Sequence, residues 1–314
     1  MSIKVAFLFP GQGSQQVGMG EDFYNNSQVA KELVEAASDR LKIDFKELLF
    51  KENDLLSKTE YTQPAIFLVS LIAHKLFEDE LPIKPHFALG HSLGEVSAIG
   101  ALKGVDIIDG VELVHIRGKE MAKACEGKDV GMMVVLGLDD EKVEAITKKA
   151  QEEGKSVWAV NYNTVGQIVI AGIKEDLISI ESPLKEAGAK RVMLLNMSVA
   201  SHCPLLNSAK EPFKEVLESY LKDEFISDVI SNVTAKKYHT KSEALELLPK
   251  QLVMPVLYKQ SILNYDNEVD CYIEFGHGAI LKGLNRKLTK KPHINISDMK
   301  SLEEGIKKIE ELSK

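Results

Sequence analysis

The segment Ile3-Lys4-Val5-Ala6-Phe7-Leu8-Phe9-Pro10 is apolar almost without interruption and then gives way to Gly11-Gln12-Gly13-Ser14-Gln15-Gln16. A strand with one wet face alternates polar and apolar residues; one without alternation is covered on both faces, as inside a parallel sheet. Helical periodicity follows over much of 28–50 and 64–79. A short strand at His86–Leu89 then leads through Gly90-His91-Ser92-Leu93-Gly94-Glu95 into a helix at Glu95–Ala101. Strands alternating with helices predict an α/β fold. With 314 residues, 44% of them hydrophobic, the chain can bury a large core, as one large domain or as a large domain carrying a smaller one.

Between 128 and 196 the texture changes. The pattern predicts strand Gly131–Leu136, helix Asp140–Glu153, strands Val157–Asn161 and Gln167–Ala171, helix Lys174–Ala187 and strand Arg191–Leu195. That βαββαβ order is the ferredoxin-like arrangement, so a small subdomain at 128–196 is expected inside a large one made of 1–127 and 197–314. The α/β character resumes at Ser231–Val233 and Cys271–Phe275. No repeat or Pro/Ser-rich linker separates the two parts, which should pack tightly.

The formal net charge of -8 argues against a nucleic acid partner, because phosphate binding is driven by clustered Lys and Arg. Three cysteines, Cys125, Cys203 and Cys271, form no CxxC pair, so neither a disulfide framework nor a metal site is suggested. No run approaches the roughly eighteen apolar residues of a membrane span. Met1 to Pro10 reads as a buried strand without the basic start and cleavage site of a signal peptide. A cytoplasmic protein with no membrane partner is expected.

Gly90-His91-Ser92-Leu93-Gly94 fits GxSxG, in which a serine on a sharp strand-to-helix turn projects its hydroxyl into a cleft. The flanking glycines are needed because a Cβ would clash there. A helix starting at Ser92 also aims free N–H groups and partial positive charge at a developing oxyanion. The same five residues would suit a serine that merely caps a helix. The loop Gly11-Gln12-Gly13 lacks the GxGxxG spacing of a dinucleotide site and the Lys-Ser/Thr of a P-loop. Its place after the first strand suits the second oxyanion donor of acyl-transfer enzymes, which would make the main-chain amides of Gln12 and Leu93 the pair.

Arg117 stands on a predicted helix, Val111–Ala124, with Val114 and Met121 on the same face. A cation on an apolar face needs an anion. That anion is a core carboxylate, or a ligand, unless the helix is turned so that Arg117 meets water.

Four stretches together resemble the malonyl-CoA:acyl carrier protein transacylase family: Phe9-Pro10-Gly11-Gln12-Gly13-Ser14-Gln15, Gly90–Glu95, Arg117-Gly118-Lys119-Glu120-Met121, and Ser201-His202-Cys203-Pro204-Leu205. Asn161–Gln167 and Gln251–Val256 add weaker support. The resemblance implies an α/β-hydrolase-like large subdomain with a parallel sheet, an inserted ferredoxin-like subdomain, and a site in the gorge between them. It implies Ser92 as nucleophile and His202, one of eight histidines, as base, oriented by a main-chain carbonyl near Gln251 rather than by an acid. Six aspartates between the two, Asp106, Asp109, Asp129, Asp139, Asp140 and Asp176, stand in no motif. His91, beside Ser92, should point away from it.

By the same resemblance Arg117 holds the free carboxylate of a malonyl group, and Met121, Gln12, Gln251, Asn163 and Gln167 complete the substrate site; simple turn chemistry would equally suit Asn163 and Gln167. The reaction implied is malonyl transfer from malonyl-CoA to the phosphopantetheine thiol of acyl carrier protein, with no permanently bound cofactor, in fatty-acid synthesis or in trans to a polyketide pathway. A serine thioesterase, or a non-catalytic acyl-CoA binder, would share parts of the pattern. The carrier is an acidic, transient partner, so local positive charge is expected, with Lys282, Arg286, Lys287, Lys290 and Lys291 the densest run. An ordinary solvated helix end fits that run as well.

Overall fold

In the strand β1 (Val5–Phe9) alternate side chains enter different cores, which explains the unbroken apolar run: Val5, Phe7 and Phe9 join one cluster, Ala6 and Leu8 another. The computed structural model describes residues 3–195 and 197–314. Met1, where the expected opening strand began, and Asn196, the last residue of the expected small subdomain, lie outside the described residues. β1 is central to a six-stranded sheet with β2 (Phe87–Gly90), β7 (Glu224–Ile230), β8 (Lys237–Thr240), β9 (Cys271–Phe275) and β10 (His293–Ile296), in the order β10-β9-β1-β2-β7-β8. Every neighbouring pair is parallel except β7 and β8. The antiparallel β8 closes one edge.

The second sheet comprises β3 (Val130–Leu136), β4 (Val157–Thr164), β5 (Gln167–Ile173) and β6 (Arg191–Leu195) in the order β4-β5-β3-β6, all antiparallel. This is the ferredoxin-like order. One face, with Met133, Val135, Ile168 and Ile170, packs under its own helices; the other, with Met132, Val134, Val169 and Ala171, joins the core of the large sheet. The tight packing expected from the missing linker is therefore a shared hydrophobic core.

Several boundaries differ from the periodicity for local reasons. The stretch 28–50 is broken into helices Gln28–Leu41 and Phe45–Phe50, because Lys42 takes a left-handed conformation (φ 56°) and Asp44 caps the second helix through the N–H groups of Lys46 and Glu47. The expected Lys174–Ala187 helix is two, Lys174–Ser179 and Glu181–Glu186, with Pro183 in the first turn of the second, where its missing N–H costs little. Ser231–Val233 is not strand: β7 ends at Ile230, and the chain turns with the Ala235 N–H donating to the Ser231 carbonyl.

Two long helices set the floor of the site. Thr59–Glu80 contains Pro64, which cannot donate to the Glu60 carbonyl four residues back. That carbonyl instead accepts from His115 Nδ1 at 2.6 Å, on the helix Ile107–Ala124. A Cβ at Gly118 would lie 2.7 Å from the Glu60 Cα, so the two backbones meet there. Their close approach brings Gln63 and Arg117 within bonding distance.

Candidate active site

The strand β2 ends at Gly90 and the helix Leu93–Ala101 begins three residues later, leaving Ser92 at φ 54°, ψ −110°. This is a strained backbone for a residue with a side chain. The glycines make it possible: a Cβ on Gly90 would stand 1.8 Å from the Gly94 carbonyl carbon, and one on Gly94 would stand 2.0 Å from the Phe9 carbonyl oxygen. Asn232, in the turn after β7, staples the elbow. Its Oδ1 accepts the Ser92 N–H at 2.8 Å and its Nδ2 donates to the Gly90 carbonyl at 2.7 Å.

Ser92 Oγ lies 2.8 Å from His202 Nε2, and His202 Nδ1 lies 2.6 Å from the Gln251 main-chain oxygen. A carbonyl only accepts, so Nδ1 carries the proton and Nε2 is left to take one from the serine. The six aspartates between Ser92 and His202 in sequence take no part. Asp106, Asp109, Asp129 and Asp140 pair with Lys222, Arg40, Lys174 and Lys259, Asp176 caps Ser156, and Asp139 precedes a helix. Burial, and then the Arg117 charge, lowers the His202 pKa to about 3, so the resting imidazole is neutral.

Arg117 is 1% exposed. One terminal nitrogen donates to Gln63 Oε1 at 2.8 Å; the other donates to Gln251 Oε1 at 2.8 Å and reaches Ser92 Oγ at 3.3 Å. Its carbon sits over the Phe213 ring, 5.9 Å from the centroid. Among the described residues no carboxylate pairs with it, and its Nε has no acceptor. Burial lowers its pKa to about 10, which leaves it charged near neutral pH.

A cavity of about 230 Å³ opens over these groups. Ser92, His202, Arg117 and Met121 line it from the large body, with Gln12 and Leu93 beside the serine. Asn163 and Gln167 line it from the small sheet. The main-chain N–H groups of Gln12 and Leu93 donate to no other group among the described residues.

The family model for the acyl transferase domain matches residues 6–305. The chain belongs to the acyl transferase family. It is 38% identical over 312 residues, 98% of each chain, to the malonyl CoA-acyl carrier protein transacylase of Bacillus subtilis. Among solved structures, the malonyl-CoA:acyl carrier protein transacylase of Helicobacter pylori superposes with a TM-score of 0.96 at 49% identity, covering 99% of each chain. A malonyl-transacylase in complex with a type II PKS acyl-carrier protein gives 0.93 at 32% identity, covering 97% of this chain and 99% of that one.

Three side chains named from the sequence make contacts that the sequence did not specify. Gln251 is fully buried behind Arg117 and does not line the cavity; it acts on the site through its bonds to Arg117 and His202. Gln12 lines the cavity, and its side chain donates to Thr59 Oγ1 at 3.1 Å. His91 makes no bond to Ser92, as expected, but its ring lines the cavity and its Nε2 meets Asn163 Oδ1 at 2.7 Å. The sequence reading missed Gln63, Asn232, Phe213 and any role for Glu95. In the basic run, Arg286, Lys287 and Lys290 are exposed, with Lys287 Nζ donating to the Val165 carbonyl at 3.1 Å, while half-buried Lys291 turns its amine to the carbonyls of Asp266 and Val269.

Proposed function

We propose that this chain moves the malonyl group of malonyl-CoA to the phosphopantetheine thiol of an acyl carrier protein, through a malonyl ester on Ser92. The observation that carries the reading is Arg117: a buried, charged guanidinium that no carboxylate among the described residues pairs with directly, 3.3 Å from the Ser92 hydroxyl. A carboxylate two bonds from a thioester carbonyl meets both needs at once, since its planar oxygens match the guanidinium fork. An acetyl group would leave the cation unpaired, a mismatch that supports discrimination of order 10⁴.

His202 Nε2 takes the proton as Ser92 Oγ bonds to the thioester carbon. The amides of Gln12 and Leu93 are the donors for the resulting oxyanion. Collapse breaks the C–S bond, CoA leaves as the thiol with the proton from His202, and the malonyl ester remains. The carrier's pantetheine thiol then gives its proton to His202 and its sulfur to the ester carbon; the ester C–O bond breaks and Ser92 Oγ leaves with the proton returned by His202. The cavity's apolar wall, including Met132, Val134 and Val169, disfavours water as the competing acceptor.

The same reading takes 1–127 with 197–314 as the large subdomain and 128–196 as the small one, with Met121, Asn163 and Gln167 shaping the acyl site. It places the enzyme in the cytoplasm in fatty-acid biosynthesis, with the CoA thioester and the carrier as its partners. Among the described residues, no helix is long and apolar enough to cross a membrane and no acid, His or Cys group of three or more could hold a metal. Exposed Arg286 and Lys287 follow the helix Ile280–Asn285, whose Ile280, Leu281 and Leu284 line the cavity, which favours that end for the acidic carrier. The test is to supply malonyl-CoA with a pantetheine-bearing carrier and to measure malonyl-carrier against free malonate. Malonyl-carrier should dominate; free malonate as the main product would make the chain a thioesterase.

A further inference from the structure

Glu95, in the first turn of the helix that follows Ser92, is 0% exposed and pairs with no Lys or Arg among the described residues. Its carboxylate is met only by neutral donors: the Asn232 N–H at 3.0 Å, Tyr238 Oη at 2.8 Å and Gln251 Nε2 at 2.6 Å. Two of those partners are the ones that hold the reacting groups. Asn232 staples the Ser92 elbow, and Gln251 touches both Arg117 and His202.

A glutamine amide can point either way, and the wrong way would be harmful here. With Gln251 reversed, its NH₂ would face the Arg117 guanidinium and its oxygen would face a carboxylate. As placed, Nε2 has three acceptors: Glu95 at 2.6 Å, the Ser92 carbonyl at 3.0 Å and Asn232 Oδ1 at 3.3 Å. The shortest is also the only one able to carry charge, and a charged acceptor makes the stronger bond. Gln63, on the other side of Arg117, has no such guide, since its Nε2 ends on the Met121 sulfur at 3.3 Å, a weak acceptor.

Resting on the transacylase reading above, we propose that Glu95 is a positioning residue. It fixes the Gln251 amide with its oxygen toward Arg117 and so keeps the guanidinium aimed at a substrate carboxylate. Burial raises the Glu95 pKa to about 7, so the bond to Gln251 is charge-assisted above that pH, and the test is run near pH 8.

The test compares kcat/KM for malonyl-CoA and acetyl-CoA, with a pantetheine-bearing carrier, in the wild type, Glu95→Ala and Glu95→Gln. Glu95→Ala should lower the malonyl value by roughly 10- to 100-fold, the loss of one charge-assisted bond, and the acetyl value by less than about threefold. Glu95→Gln removes the charge, keeps one oxygen to accept from Gln251 and Asn232, and turns its NH₂ toward Tyr238 Oη, which can accept it, so the variant is expected to fold. It should lower the malonyl value by roughly three- to tenfold and the acetyl value by less than about twofold. Equal losses for the two acyl groups, or unchanged malonyl kinetics in Glu95→Gln, would overturn the assignment. A wild type with no preference for malonyl over acetyl would instead sink the transacylase reading.

Discussion

Replacing Arg117 with alanine separates substrate recognition from the chemistry of the serine. A malonyl carboxylate on the guanidinium makes two charge-assisted bonds, each worth about 1.5–3 kcal/mol. Their loss predicts a fall in malonyl kcat/KM of roughly 10² to 10⁴. Acetyl-CoA has no carboxylate to lose. Its transfer is opposed by an unpaired cation close to the base, because Arg117 and His202 both reach Ser92 Oγ, at 3.3 and 2.8 Å, and the Arg117 charge lowers the His202 pKa. Removing the cation should therefore leave acetyl transfer within about tenfold of its starting value, or raise it. The substitution also strands the Gln63 and Gln251 oxygens, at a cost of about 1–3 kcal/mol of stability each, so the assay is run at a temperature where a melt shows the variant folded. Single-turnover acylation with each thioester reads both values. Equal losses for the two acyl groups would refute the reasoning and leave Arg117 a purely structural residue.

The His202 base is held neutral to about pH 3, and its protonated, inactive form grows only as pH falls through that value. Sulfonylation of Ser92 by an uncharged sulfonyl fluoride should therefore run level from pH 8 down to about 5; a half-loss near 6.5, the ordinary histidine value, would contradict this. Glu95 has its folded pKa raised from 4.5 to about 7, so the stability tied to its neutral form is complete below about 4.5 and lost as pH rises through 7. Glu95→Gln should accordingly melt higher than the wild type at pH 8, by up to about 3 kcal/mol of stability, with the gap closing by pH 4.5. A gap independent of pH would mean that the buried charge is not its cause.

The Ser92 elbow is legible in the sequence because its requirements are local, whereas His202, 110 residues away, is reached only through the family resemblance. Gly90 and Gly94 flank Ser92 for a steric reason that a five-residue pattern records, and the small sheet announced itself through the order of its periodicities. The groups that aim the site were not legible, because their role depends on contacts distant in sequence. Gln63 is one of several buried polar residues, with Thr59, Thr62, Ser70 and His74, on the helix Thr59–Glu80, and nothing local singles it out. Asn232 sits in Ser231-Asn232-Val233, which reads as strand until the turn to Ser92 is seen. Glu95 looks like any acid in a first helical turn, where the macrodipole alone would explain it. The resemblance puts a main-chain carbonyl near Gln251 beside His202, and its oxygen lies 2.6 Å from Nδ1, but the burial of the Gln251 side chain behind Arg117 follows from the packing of the Lys241–Gln251 helix and not from its own neighbours in the chain.

Intact-protein mass spectrometry after mixing with malonyl-CoA bears most directly on the covalent step. One malonyl group should appear on the wild-type chain, map to Ser92 on digestion, and vanish when a pantetheine-bearing carrier is added. Ser92→Ala should stay unmodified. A stoichiometric malonyl adduct on that variant, or a wild-type adduct the carrier cannot discharge, would contradict a route through the Ser92 ester.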